Sequence, residues 1–205
     1  MVSSGLFFLL LVSCVLADDV RDLCPGVTPI TPATANAEGT WWIVRASKSS
    51  SGQCGPTNNQ PPCRCTGLVY TTDLLPPRIS KYNATLFGYD TETQVYEMQY
   101  SVTTIVDPTQ PYGIFYLIDD STGAINVGAA LDTDNHETFI IFYFCSVLTS
   151  EGEPLVIVLS RSRNGLCSES QKRVDAALEA NNICKDNLES FDVSDCADIY
   201  DYCFN

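Results

Sequence analysis

Tyr96-Glu97-Met98-Gln99-Tyr100-Ser101-Val102 alternates apolar and polar side chains at every step. A period of two is the mark of a β-strand with one wet face and one enclosed face. The same texture continues on both sides. Downstream, apolar runs at 112–118, 124–131, 138–147 and 155–161 are divided by Asp107-Pro108-Thr109-Gln110-Pro111, Asp119-Asp120-Ser121-Thr122-Gly123, Asp132-Thr133-Asp134-Asn135 and Ser150-Glu151-Gly152-Glu153-Pro154. Upstream, runs at 68–72 and 79–87 are divided by Leu74-Leu75-Pro76-Pro77, and Gly88-Tyr89-Asp90-Thr91-Glu92 turns the chain into 95–106. With a first strand at 39–47 there are eight strands, at the spacing of a sandwich or barrel. The connections are short, so neighbouring strands are antiparallel; parallel neighbours need long crossovers.

The chain has 205 residues, about one domain. It is 45% hydrophobic and 18% charged, which excludes disorder for most of its length. Lys and Arg number 11 against 25 Asp and Glu, for a formal net charge of −14. Such a surface repels phosphate backbones and anionic lipid, which excludes nucleic acid as a partner. A single histidine excludes His-rich metal sites.

The ten cysteines are too many for a typical cytosolic protein of this size. The N-terminus accounts for them. Leu6-Phe7-Phe8-Leu9-Leu10-Leu11-Val12 is an apolar run, followed by Val15-Leu16-Ala17 and then Asp18-Asp19. Residues 1–17 therefore read as a secretory signal peptide cut after Ala17, although the usual positive n-region is missing. No run is long enough to span a bilayer, so no membrane insertion is expected. The mature chain keeps Cys24, Cys54, Cys63, Cys65, Cys145, Cys167, Cys184, Cys196 and Cys203. This odd count leaves at least one thiol unpaired, or paired across a homodimer. Asn83-Ala84-Thr85 is an N-glycosylation acceptor, consistent with a secreted, extracellular protein.

Residues 18–38 form an extended N-terminal segment, and 39–205 carry the barrel, a helix and an acidic, aromatic tail. Ser168-x-x-Gln171 reads as a capping box, and Val174, Ala177, Leu178 and Asn181 follow at helical spacing. The stretch 48–62 is dense in Ser, Gly, Pro and Asn and forms a long loop, which a Cys54–Cys63 bridge would stiffen. Cys167 and Cys184 flank the helix about 20 Å apart, too far to pair with each other. The carboxylate groups Asp119-Asp120 and Asp132 with Asp134 lack calcium-loop spacing and read as solvated turns, as does His136 beside Glu137.

Three segments, in order, carry a family resemblance: Gly39-Thr40-Trp41 with Arg45 four residues on, Thr133-Asp134 before the aromatic run 139–145, and Val158-Leu159-Ser160-Arg161 just before the helix. Together they resemble the lipocalins, nearest the branch of apolipoprotein D, the insect bilin-binding proteins and the crustacyanins. The likeness covers about 24–196. It departs from the family in Asn135-His136-Glu137, where an aromatic usually follows Thr-Asp, and in the long cysteine-rich loop after the first strand.

The resemblance implies an all-β fold: an eight-stranded antiparallel up-and-down β-barrel with one C-terminal α-helix packed on it. It implies a small hydrophobic ligand inside and no required cofactor or metal; a bilin, carotenoid or retinoid fits nine Phe and ten Tyr slightly better than a saturated lipid does. Ligand contacts fall on Tyr70, Phe142, Phe144, Leu155, Ile157 and Leu159. Trp41 lies across the closed end with Arg161 packed over its face. Cys24 pairs with Cys145, and Cys65 with either Cys196 or Cys203. The protein is then not an enzyme. Two rival readings remain: an extracellular protein that binds a protein partner through its loops, and a thiol-dependent isomerase using Cys65.

Overall fold

The computed structural model describes residues 23–30, 37–48, 65–73, 80–90, 95–106 and 113–197. The expected signal peptide 1–17, Cys54, Cys63 and Cys203 lie outside the described residues. The strands are β1 (Gly39–Ser47), β2 (Gly67–Asp73), β3 (Ser80–Asp90), β4 (Val95–Val106), β5 (Ile114–Asp119), β6 (Ile125–Thr133), β7 (Phe139–Leu148) and β8 (Pro154–Ser160). Helix α1 (Ser168–Ala180) and a three-residue strand β9 (Leu188–Ser190) follow. The sheet runs β2-β3-β4-β5-β6-β7-β8-β1, and β1 pairs with β2 to close it into a barrel. Each pairing is antiparallel.

Three local readings change. Gly88, Tyr89 and Asp90 were expected in a turn but belong to β3, where they pair with Glu97, Tyr96 and Val95. The tail supplies β9, which pairs with Arg45–Ser47. Strand β1 is bonded to β2 only over Gly39–Trp42, so its later half would otherwise present an open edge. The cap of α1 also moves by one residue. Cys167 is the N-cap, its Sγ accepting from the Ser170 N–H, and Gln171 reaches forward to Asp175 at 2.9 Å. Gln171 is thus drawn away from the capping box, because Asp175 also pairs with Arg45 at 2.7 Å and ties the helix to β1.

Alternation sorts the apolar residues into two sets. Trp41, Ile43, Leu68, Tyr70, Leu86, Phe115, Ile140, Phe144, Leu155, Ile157 and Leu159 cluster inside the barrel. Trp42, Val44, Phe87, Tyr96, Phe139, Ile141, Val156 and Val158 form an outer cluster that includes Val174 and Leu178 of α1, both 0% exposed. Burying each such side chain stabilises the fold by about 1.5–3 kcal/mol. The disulfides Cys24–Cys145 and Cys65–Cys196 fasten the N-terminal segment and the tail to this outer surface. The second bridge selects Cys196 over Cys203 as the partner of Cys65.

The closed end is built on Trp41 and Arg161. The guanidinium carbon lies 3.8 Å from the Trp41 ring centroid, and Arg161 donates to the carbonyls of Glu38 at 2.5 Å and His136 at 3.4 Å. Trp41 Nε1 donates to Ala37 O at 2.8 Å. His136 is half-buried rather than a solvated turn residue, its ring 6.5 Å edge-on from Trp41. Thr133 and Asp134 shape the turn that places it. The Thr133 hydroxyl donates to Phe139 O at 2.7 Å and accepts from the His136 N–H at 2.9 Å. Asp134 accepts from the N–H and hydroxyl of Thr138 and from the Phe139 N–H. Partial burial works against the Asp134 charge, but these hydrogen bonds outweigh it and hold the carboxyl below its usual range.

Arg161→Ala is expected to lower unfolding stability by about 2–4 kcal/mol, read from urea denaturation, because it removes the ring contact and leaves carbonyls unsatisfied. Asp134 has a folded pKa below its unfolded one, so its stabilisation is complete above about pH 4 and is lost as pH falls through the folded value. Asp134→Asn is therefore expected to be less stable than the parent at pH 7, with the gap narrowing by pH 3 in the same assay.

Candidate functional site

The barrel interior is lined by alternate residues of successive strands. A bulge between Ile43 and Arg45 resets the alternation of β1, so Ala46 points inward while Arg45 reaches out to Asp175. Strand β3 contributes Ala84 and Leu86, and β4 contributes Val102 and, two residues on, Thr104. Phe115 and Leu117 enter from β5. The six positions that the resemblance assigned to ligand contact all lie on this lining. Tyr70, Phe144, Leu155, Ile157 and Leu159 are buried, and Phe142 is half-buried against them.

Three phenylalanines meet in the interior. Phe115 lies 5.0 Å from Phe142 and 6.2 Å from Phe144 between ring centroids, and Phe142 lies 6.4 Å from Phe144, all edge-on. Such pairs stabilise beyond simple area burial. Gly128 makes room for them. It is opposite both Phe115 and Phe144 in the ladder, and a Cβ there would stand 2.4 Å from Phe115 Cζ. Burial pushes the Tyr70 hydroxyl well above its usual pKa, so it remains a neutral phenol. A flat apolar molecule placed here would meet ring faces and edges on the β5–β7 side and a phenol from β2.

The sequence reading missed Phe115, Leu117, Ala84, Leu86, Val102 and Thr104. The signal for most of them was present as period-two alternation in β4 and β5. It needed the register of those strands to say which face was enclosed.

Other groupings do less. Cys65, the thiol that the isomerase reading required, is bridged to Cys196 and has no nucleophilic sulfur to offer. Asp195 lies beside that pair, but bridged sulfurs are not thiolate metal ligands. Cys167 and Cys184 are free and exposed, outside the barrel. The expected turn carboxylates are engaged locally. Asp119 accepts from Ser121 and Thr122, Asp120 from the hydroxyls of Ser101 and Thr103, and Asp132 pairs with Arg173 at 2.7 Å. A cleft of about 290 Å³ lies outside the barrel between the β7–β8 turn and the end of α1. Lys48, Glu151, Glu153 and Asn181 line it together with Val27, Val156, Ile183 and Leu188, a mixed polar and apolar set. Among the described residues, no helix is long and apolar enough to cross a membrane.

An eight-stranded antiparallel barrel, stoppered by a tryptophan under an arginine and followed by one helix on its outer wall, is the lipocalin fold, and this chain adopts it. Solved structures agree. Insecticyanin from the tobacco hornworm Manduca sexta superposes with a TM-score of 0.58 at 18% identity, covering 85% of this chain and 88% of that one. Lobster apocrustacyanin A1 gives a TM-score of 0.52 at 14% identity, covering 82% of this chain and 89% of that one. H1 crustacyanin from the lobster Homarus americanus gives 0.51 at 15% identity, with 75% of each chain covered. No protein-family model matches the sequence. No curated protein matches it in sequence either.

Gly128→Val is expected to force the Phe115 ring out of its position and to destabilise the fold by about 1–3 kcal/mol, measured by urea unfolding. Gly128→Ala should show a smaller loss in the same direction.

Proposed function

We propose that the chain is a secreted carrier that holds a small hydrophobic ligand inside its barrel. The observation that carries this reading is the aromatic cluster of Phe115, Phe142 and Phe144 turned inward, with Tyr70 on the same lining. Pockets of this kind bind apolar molecules by burial and orient them with a few polar groups. Apolar burial contributes about 25 cal/mol per Å², less the cost of immobilising the ligand. Ring edges and faces favour a flat conjugated molecule, so a bilin, carotenoid or retinoid ranks ahead of a saturated lipid. The likeness in fold to insecticyanin and the crustacyanins supports the same ranking. The six contacts Tyr70, Phe142, Phe144, Leu155, Ile157 and Leu159, now joined by Phe115, form the proposed ligand site.

The export elements belong to the same proposal. The leader 1–17 is removed after Ala17, 18–38 precedes the barrel, and Cys54 bridges Cys63. Asn83 sits in the middle of β3 between Thr71 and Thr103, half-buried on the outer face, and is the proposed glycosylation site. Cys167 is the better placed of the two exposed thiols for a disulfide-linked homodimer. The Ser170 hydroxyl and the backbone N–H groups of Ser170 and Glu169 lower its pKa and favour the reactive thiolate.

One experiment reads the whole proposal: an absorbance spectrum and native mass measurement on the protein recovered from its source, repeated after denaturation. The expected result is a mature chain beginning at Asp18 with an extra mass that leaves on denaturation, and a visible or near-ultraviolet band of the same molecule. A protein with no extra mass, still empty after exposure to bilins, carotenoids, retinoids and lipids, would overturn the carrier reading. It would favour the interaction protein that binds through its loops.

A further inference from the structure

Thr104 has a buried hydroxyl with no hydrogen-bond partner. The residue is 5% exposed, and Oγ1 is unsatisfied among the described residues. Its position in the ladder is fixed on both sides, opposite Tyr82 of β3 and Leu117 of β5. Val102, two residues back on the same face, and Leu117 across the ladder both belong to the interior cluster, so Thr104 points into the barrel. The other such group, Thr40 Oγ1, precedes inward-facing Trp41 on β1 and so falls on the outer face.

A buried hydroxyl without a partner loses its bonds to water and regains nothing, and native proteins rarely leave one so. Valine would fill nearly the same volume and suits a strand equally well. The backbone of Thr104 lies within continuous ladders, which gives the hydroxyl no structural task at this position. What remains for it to meet is a molecule in the barrel. Apart from the Tyr70 phenol and the Asp119 carboxylate, which Ser121 and Thr122 already engage, the described lining is apolar, so the Thr104 hydroxyl can discriminate ligands that share a shape and differ in an oxygen.

We infer that Thr104 is a specificity-determining residue, whose hydroxyl hydrogen-bonds an oxygen of the bound ligand. The barrel therefore prefers a conjugated molecule carrying a carbonyl or hydroxyl group to the hydrocarbon of the same skeleton. This inference rests on the carrier reading above. It adds the ligand's chemistry: an apolar body for the phenylalanines and an oxygen for Thr104. A site built to bond such an oxygen discriminates against the analogue lacking it, because its own polar group is then left unpaired.

The test is a pairwise titration, followed by quenching of Trp41 and Trp42 fluorescence, with two matched pairs: retinol with its deoxy hydrocarbon, and canthaxanthin with β-carotene. Wild type is expected to bind the oxygenated member of a pair about 3- to 10-fold more tightly, the worth of one neutral hydrogen bond. In Thr104→Val that ratio is expected to fall to about one with hydrocarbon affinity retained, while the empty protein melts at a higher temperature than wild type. Thr104→Ser should keep the preference. The ratio is read within each variant, so partial destabilisation cancels, and Thr104→Ala supplies it if the valine variant fails to fold. An unchanged preference in Thr104→Val or Thr104→Ala overturns the inference, as does equal wild-type affinity for both members of each pair; in either case the carrier reading stands. Failure of wild type to bind any of the four overturns both.

Discussion

The contact between the Arg161 guanidinium and the Trp41 ring holds this molecule's shape. It joins the start of β1 to the end of β8, two strands that are neighbours in the sheet and more than a hundred residues apart in sequence. A guanidinium over an indole is worth about 0.5–2 kcal/mol, more when sheltered from water. Here it also donates to the carbonyls of Glu38 and His136, on both sides of the closed end. The turn Thr133–Thr138 rests on that contact, with His136 edge-on to the same tryptophan.

The opposite end is arranged differently. Strand β1 outruns its pairing with β2, and the exposed edge is covered by β9, returned from the tail and held by the Cys65–Cys196 bridge. The Phe191 N–H continues the edge by donating to Val44 O at 2.9 Å. A part of the tail is thereby made into wall. The bridge also takes up the Cys65 thiol that the isomerase reading requires.

The interior combines bulk and space in a definite pattern. Phenylalanines from β5 and β7 crowd one side, where Gly128 yields room for the ring of Phe115. Small residues, Ala46 and Ala84, stand on other strands. Among the described residues the polar groups of the interior are few: Tyr70, kept neutral by burial, Thr104, and Asp119 at the end of β5. An unsatisfied buried hydroxyl such as that of Thr104 lowers the stability of the empty fold.

Much of this was written in the sequence. Alternation around Tyr96–Val102 and the regular spacing of turns pointed to antiparallel strands of a sandwich or barrel, and the resemblance selected the barrel. Trp41 and Arg161 were legible as a closing pair, Thr133 and Asp134 as part of the same signature, and Cys24 with Cys145 as a pair, through the resemblance they carry. Other features were decided only by tertiary structure. Gln171 could cap its helix or reach Asp175, and the ion pair between Asp175 and Arg45 on a distant strand settled the choice. Cys196 and Cys203 were equivalent in sequence until the tail's path along β1 brought Cys196 to Cys65. Thr104 could face water or the barrel, since alternation gives two faces without saying which is inside. Register against Leu117 is what turned it inward, because a one-residue slip would reverse every side chain on the strand.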